Sequence, residues 1–245
     1  MSIECYTGVP GSGKSYHTAR RIYDALRSGV NVISNLNINT SIIPPKSSKK
    51  ALGSFIYVPN SQWINSSIFL KSPIGGKSVC NDTFSYIYGL ENFALQFHKR
   101  NKKGQIFEHQ TLIILDECQT IFNPRSWNKK DRLQWIEFFT MHRHFGYDVI
   151  LVTQNDKMID KQIRGILETQ VLHRNISKYK AFGKLLAAPF GGNLFMCIKS
   201  MYGMSKKESH IKSSLLFGSS FYFSLYDSYT LIKWFMRVPG MPGEA

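Results

Sequence analysis

Apolar positions fall along the chain in short blocks of two kinds, alternating runs and helical stripes. "SIECYT" (2–7) alternates and runs into a glycine-rich loop, which predicts a strand and a turn. From Lys14 to Arg27 the period is helical, with Ile22, Ala25 and Leu26 on one face, and Gly29 ends the helix. "VNVISN" (30–35) predicts a second strand and "FIYV" (55–58) a short third. The stretch between them, "TSIIPPKSSKKALGS", is a loop because its proline pair and polar run exclude regular structure. Residues 61–82 carry no period that decides between helix and strand. "TFSYIYGLENFALQFHKR" (83–100) predicts a helix interrupted at Gly89, and "NKKGQIFEHQ" (101–110) an exposed basic connector.

The second half repeats the alternation. "TLIILDE" (111–117) is short, apolar and β-branched, as a strand covered on both faces should be. "DRLQWIEFFTMHRH" (131–144) is apolar around most of a helical circumference, which predicts a buried helix. "YDVILVTQ" (147–154) is another buried strand, "DKMIDKQIRGILE" (156–168) a helix, and "TQVLHRN" (169–175) a further strand. Strands alternating with helices predict an α/β fold with a mostly parallel sheet. From Ser177 the texture changes to glycine, lysine and aromatics, which predicts β-hairpins or a lid. The expected division is therefore residues 1–176 and a β-rich C-terminal appendage, 177–245, packed on the first part. The tail "VPGMPGEA" (238–245) is expected to fray.

Composition narrows the partners. Lys and Arg total 31 against 16 Asp and Glu, a formal charge of +15 that attracts polyanions. The basic runs 46–50, 99–103 and 178–184 are candidates for nucleic-acid phosphates, against the ordinary reading of such runs as solvated faces. Cys5, Cys80, Cys118 and Cys197 show no CxxC pair and no Cys/His zinc spacing, and read as reduced, buried thiols of a cytosolic protein. The N-terminus carries no signal peptide pattern. The apolar stretch 213–235 is broken by Ser, Gly and Asp227, so no membrane span is expected.

The chemistry concentrates in one motif. Gly8-Val9-Pro10-Gly11-Ser12-Gly13-Lys14-Ser15 satisfies G-x-x-x-x-G-K-S between a strand and a helix. Such a loop turns backbone N–H groups onto phosphate oxygens at the positive end of a helix. Lys14 is placed to reach the β- and γ-phosphates of ATP and Ser15 to ligate Mg²⁺; Tyr16 closes the nucleotide-binding stretch. Asp116, ending a buried strand, is the candidate second metal ligand, and Glu117 the candidate base for an attacking water. Gln154 ends its strand on the edge where parallel sheets bind ligands, and is a candidate γ-phosphate or water sensor. His142 and His144, two apart on a helix, do not share a face and so do not make a metal pair. Arg143 is the candidate arginine finger for a neighbouring subunit, with Arg164 as its rival.

Three segments, "ECYTGVPGSGKSYHTARRI", "TLIILDECQTIFNPRSW" and "HRHFGYDVILVTQNDKMIDKQIR", resemble the N-terminal ATPase domain of the zonular occludens toxin (Zot) family. The resemblance covers about residues 1–175. It implies a P-loop NTPase of the additional-strand class, related to FtsK/HerA-type motors, that forms homo-oligomeric rings such as hexamers. It implies action on phage single-stranded DNA during virion assembly, with phage or host inner-membrane proteins as partners, at the cytoplasmic face of the host inner membrane. It places Gly8–Ser15 on nucleotide, Asp116 on metal, Glu117 on water and Gln154 as sensor. Family members commonly continue into a membrane span, which this chain does not show. Two other readings stay open on the residues alone: a nucleotide kinase, and a scaffold switched by ATP without catalysis.

Overall fold

The computed structural model describes residues 2–47, 51–64, 74–77, 84–87, 89–126, 132–179, 183, 185, 187–190, 193–205 and 208–226. The undecided region 61–82, Cys80, the tail 238–245 and parts of the basic runs 46–50 and 178–184 lie wholly or partly outside these residues.

Strands β1 (Ile3–Thr7), β2 (Asn31–Ser34), β3 (Phe55–Tyr57), β6 (Thr111–Leu115), β7 (Tyr147–Val152) and β8 (Thr169–Asn175) pair in parallel. Strands β9 (Leu194–Met201) and β10 (His210–Phe217) add an antiparallel hairpin along β8. The eight strands form one sheet in the order β10-β9-β8-β1-β7-β6-β2-β3. The strand that leads into the phosphate-loop motif, β1, is thus separated from the Asp-bearing strand, β6, by β7. That inserted strand is the arrangement of the additional-strand P-loop NTPases. A separate pair, β4 (Ile74–Lys77) with β5 (Phe84–Ile87), is antiparallel.

The alternation of the central strands explains the two cores. In β6, Ile113 and Leu115 face one side and Leu112 and Ile114 the other; in β7, Val149 and Leu151 oppose Ile150 and Val152. One side is covered by α3 (Leu90–Phe97) and α4 (Arg132–Met141), through Phe93, Trp135, Phe138 and Phe139. The other is covered by α1 (Lys14–Arg27), through Tyr16, Ala19, Ile22 and Leu26. Each large side chain fully buried in this way contributes roughly 1.5–3 kcal/mol. Among the described residues there are also the shorter helices α2 (Asn60–Ile64), α5 (Lys161–Gly165) and α6 (Ser220–Ser224).

The structure corrects several local expectations. The helix expected over 83–100 begins only at Leu90; residues 84–87 are strand, and Gly89, at φ +57°, makes the break. Alternating aromatics such as "FSYI" suit a pleated strand as well as a helix, and pairing with β4 decides between them. His142 and His144 lie in the turn after α4, not on it. The helix expected over 156–168 is a 3-10 turn at Asp156–Met158 and the short α5. Helix α4 is not buried all round, since Leu133 is 74% exposed.

Leu151 lies at the centre of the sheet, paired with Cys5 and Leu115 and fully buried. Leu151→Ala is expected to cost about 2–5 kcal/mol of stability, read from urea unfolding.

Candidate functional site

Parallel strands bring their carboxyl ends to one edge of the sheet, and the chemistry collects there. The chain leaves β1 at Thr7 and turns through Gly8, Gly11 and Gly13, whose φ values are +148°, +73° and +96°. At Gly8 a Cβ would lie 2.6 Å from the His173 carbonyl, and at Gly13 2.5 Å from the Phe195 ring. Both positions therefore need glycine for conformation and for space. Gly13 caps α1 in the left-handed conformation, and Lys14 and Ser15 open the helix.

Lys14 folds back into the loop. Its Nζ donates to the carbonyls of Gly8 at 2.6 Å and Val9 at 3.3 Å. Burial lowers its pKa, while the charges of Glu117 and then Asp116 pull it back up. The two carboxylates thus reach the lysine across the width of β7. Ser12 Oγ is buried inside the same loop without a partner among the described residues. A left-handed glycine cradle, a positive helix end, a lysine and an unpartnered hydroxyl together fit a bound phosphate.

Asp116 leaves β6 under tight control. Its N–H donates to Asn35 Oδ1 at 2.6 Å, and its carbonyl accepts from Asn35 Nδ2 at 2.7 Å. Asn35, at the end of β2, clamps that peptide from both sides. Asp116 Oδ1 accepts from the Glu117 N–H at 3.0 Å. Burial, with Glu117 beside it, pushes the Asp116 carboxyl up to about 6, against the opposing pull of that hydrogen bond and of Lys14. Asp116 is half-buried and ion-paired to no cation among the described residues, which suits it to receive a metal ion, and Ser15 and Asp116 are the residues that would hold Mg²⁺. Glu117 occupies the left-handed region at φ +48°, which costs a non-glycine residue about 1 kcal/mol. Its carboxylate accepts from Gln119 Nε2, and its carbonyl from Thr120 Oγ1 at 2.9 Å.

The remaining sequence candidates separate into near and far. Gln154 is exposed just beyond β7, and its carbonyl accepts from the Gly8 N–H at 3.2 Å. It lines a cleft of about 630 Å³ beside the loop with Thr7, Gly8, Val9, Arg174 and Lys178. That volume is in the range of small-ligand sites. Val9 and Gly11 are exposed on the loop's outer surface, as is Pro10. Tyr16 turns away. Its hydroxyl donates to the Phe217 carbonyl at 2.6 Å and accepts from the Ser219 N–H at 3.1 Å, so its side chain serves the C-terminal segment and not the loop's mouth. Arg143 lies in the turn leading into β7, at the opposite edge of the sheet from the loop, paired with Glu168 at 2.7 Å. Arg164 is on α5 and partly exposed.

Sequence reasoning missed the residues that hold these in place. Asn35 and Gln119 position the two acids. From the C-terminal half, Asn175 Nδ2 donates to the Gly11 carbonyl at 3.1 Å, Lys178 Nζ to the Pro10 carbonyl at 3.2 Å, and Phe195 packs on Gly13. Asn35 carried a signal like that of Gln154, a polar residue at the carboxyl end of an apolar strand. Asn175 and Phe195 carried none, because their partners in the loop are over a hundred residues away; Lys178 stood out only as part of the basic run 178–184, and Gln119 only as a neighbour of the acidic pair.

The family model described as zonular occludens toxin (Zot) matches residues 79–230, more than half of the chain. The chain belongs to the Zot family. The matched range contains the Asp116–Glu117 pair, Gln154 and Arg143, and the loop at 8–15 precedes it. Among similar proteins, the Gene 1 protein of Enterobacteria phage M13 is 29% identical over 199 residues, 81% of this chain and 47% of that protein. The Gene 1 protein of Salmonella phage IKe is 28% identical over 197 residues, covering 79% and 46%. The chain therefore spans about half the length of the curated relatives it matches. Among solved structures, the N-terminal domain of zonular occludens toxin from Neisseria meningitidis aligns over 92% of this chain and 98% of that one, at 15% identity and a TM-score of 0.48. The genome packaging NTPase B204 from Sulfolobus turreted icosahedral virus 2, in complex with AMPPCP, aligns over 87% and 96% at 17% identity and a TM-score of 0.42. Among the described residues of this Zot-family chain, no helix is long and apolar enough to cross a membrane.

The raised Asp116 pKa fixes a sign. The native carboxyl holds its proton more tightly than the unfolded one, whose ordinary value is 3.8, so this group's contribution to stability falls as pH rises from about 4 through about 6. Asp116→Asn removes that loss and keeps an acceptor for the Glu117 N–H. Without nucleotide, the variant is expected to be about 1–3 kcal/mol more stable than wild type at pH 8, and near parity below pH 4, by urea unfolding. Asn35→Ala strips both partners from the Asp116 peptide and is expected to destabilise by about 1–3 kcal/mol in the same assay.

Proposed function

We propose that this chain is an ATP-hydrolysing motor or assembly protein that drives extrusion of phage single-stranded DNA during virion morphogenesis. The observation that carries the reading is the meeting of Lys14, Asp116 and Glu117 at the carboxyl edge of the sheet, with Gln154 ending the strand between them. Membership of the Zot family and similarity to phage Gene 1 proteins support the setting. The +15 charge suits a polyanionic partner.

In this reading the N–H groups of Gly11–Ser15 bind the phosphates of ATP, and Lys14 leaves the Gly8 and Val9 carbonyls to reach the β- and γ-phosphates. Ser15 and Asp116 would hold Mg²⁺, which when bound would supply neutralisation of the phosphate charge. Glu117, oriented by Gln119, takes the proton of the attacking water, and Gln154 orients that water. The left-handed backbone of Glu117, with its carboxylate held by a side-chain amide, is the kind of strained conformation that collects at functional sites. The trans-acting finger is Arg143 or Arg164. Arg143 would leave Glu168 for a neighbour's phosphate in a homo-oligomeric ring, a hexamer for example. The work would take place at the cytoplasmic face of the host inner membrane, with phage assembly or host membrane proteins alongside.

Phosphate release, measured with and without single-stranded DNA, tests the proposal. Wild type is expected to be stimulated severalfold by DNA, Lys14→Ala to lose nucleotide binding and turnover, and Glu117→Gln to bind ATP but turn over at least a hundredfold slower. Normal turnover by Glu117→Gln would overturn the catalytic assignment. Transfer of phosphate to an added nucleoside monophosphate without phosphate release would replace the hydrolase reading with a kinase.

A further inference from the structure

Behind the phosphate loop, three side chains from distant parts of the sequence converge in the core. The antiparallel register of β8 and β9 sets His173 directly opposite Cys197, so both leave the same face of the sheet. Helix α1 lies on that face and brings His17 down onto them, one turn after Lys14. His17 Nδ1 is 2.8 Å from His173 Nε2 and 3.8 Å from Cys197 Sγ. All three ligand atoms lie within 4.8 Å of one another, and His173 and Cys197 are buried.

We propose that His17, His173 and Cys197 form a zinc-binding site that ties the phosphate-loop helix to the C-terminal hairpin. Tetrahedral Zn²⁺, at about 2.0–2.1 Å from nitrogen and about 2.3 Å from sulfur, needs ligand separations of roughly 3.3–3.6 Å. The separations found here differ from those values by only about 1 Å, and a three-residue ligand set leaves the fourth position to water. The supporting contacts are those of a ligand shell. His173 Nδ1 lies 3.2 Å from the Thr7 carbonyl, which assigns its proton there and turns the Nε2 lone pair toward His17. The Tyr6 ring stacks on His17 at 4.8 Å and 10°, fixing the plane of the imidazole.

The electrostatics are compatible with a metal bound through neutral imidazoles and a thiolate. Burial lowers His17 to about 3 and His173 to about 4, so both rings are free of the competing proton at neutral pH. Burial pushes the Cys197 thiol up to about 12, against a smaller pull from Arg20. Binding therefore releases one proton from Sγ as the Zn–S bond forms, with no change of oxidation state. Arg20, Arg21 and Lys199 oppose a further cation near His17, and the new thiolate offsets one of the two charges the ion brings. Lys199 is already paired with Glu4 at 2.7 Å. No spacing rule could find this site, because its three ligands come from α1, β8 and β9.

The test uses the full chain, purified without a histidine tag, stripped with chelator and refilled with Zn²⁺ or Co²⁺. One equivalent of tightly held zinc is expected, with a thiolate-to-cobalt charge-transfer band in the Co²⁺ form and a higher Tm in the absence of nucleotide. Cys197→Ser and His173→Gln should each weaken zinc binding at least tenfold, with far-UV circular dichroism confirming their fold. In wild type, zinc should protect Cys197 from alkylation in peptide mapping, a readout that needs no variant. Failure of the stripped wild type to take up zinc, or zinc uptake with Cys197 still alkylated at the metal-free rate, would leave a hydrogen-bonded histidine pair beside an inert thiol and overturn the proposal. Zinc content is independent of turnover, so this result stands apart from the ATPase assay.

Discussion

Three parallel strands buried on both faces, β1, β7 and β6, set the constraint from which the site follows. Their apolar side chains need cover above and below, and helices on both faces provide it. Parallel pairing then forces every strand to end on the same edge. The loop after β1, the acids after β6 and Gln154 after β7 meet there because they have nowhere else to go. Inserting β7 between the other two leaves a strand's width between lysine and carboxylates. The lysine is consequently drawn by those carboxylates electrostatically but bonded to loop carbonyls instead.

That separation has an electrostatic consequence. Asp116 is desolvated with no bonded cation among the described residues, so its charge is held at a cost to folding. Asn35 meets part of the local demand by satisfying the Asp116 peptide, and the Glu117 N–H satisfies one carboxyl oxygen. What remains is a carboxylate whose charge costs the fold, and which the proposed function gives to a metal ion. Trading stability for function in this way is common where a site must receive charge.

The C-terminal strands take part in the same site from behind. β9 continues the sheet along β8, and its Phe195 ring packs on Gly13. Asn175 and Lys178 satisfy loop carbonyls, while Tyr16 on the loop's own helix is bonded to Phe217 and Ser219. The end of β8 and the turn after it therefore buttress the phosphate loop through polar bonds on its outside, and the hairpin through aromatic packing beneath it. His17, His173 and Cys197 sit in that same seam, where the loop helix, β8 and β9 meet.

The sequence by itself determined the local pieces. Lys14–Arg27 had to be a helix because its apolar stripe has the helical period, and "TLIIL" and "DVILV" had to be buried strands because nothing polar interrupts them. The glycine spacing before Lys14 fixed a phosphate loop, since left-handed turns need those residues. The tertiary structure decided what depends on strand order and register. "FSYI" became a strand through pairing with β4, and Tyr16 was turned from the nucleotide toward the C-terminal segment by a backbone carbonyl 201 residues away. Asn35 was assigned to Asp116 by the adjacency of β2 and β6, and His173 to Cys197 by one antiparallel register. Periodicity records how each segment meets water, whereas these contacts record which segments meet each other, and only the folded sheet fixes that.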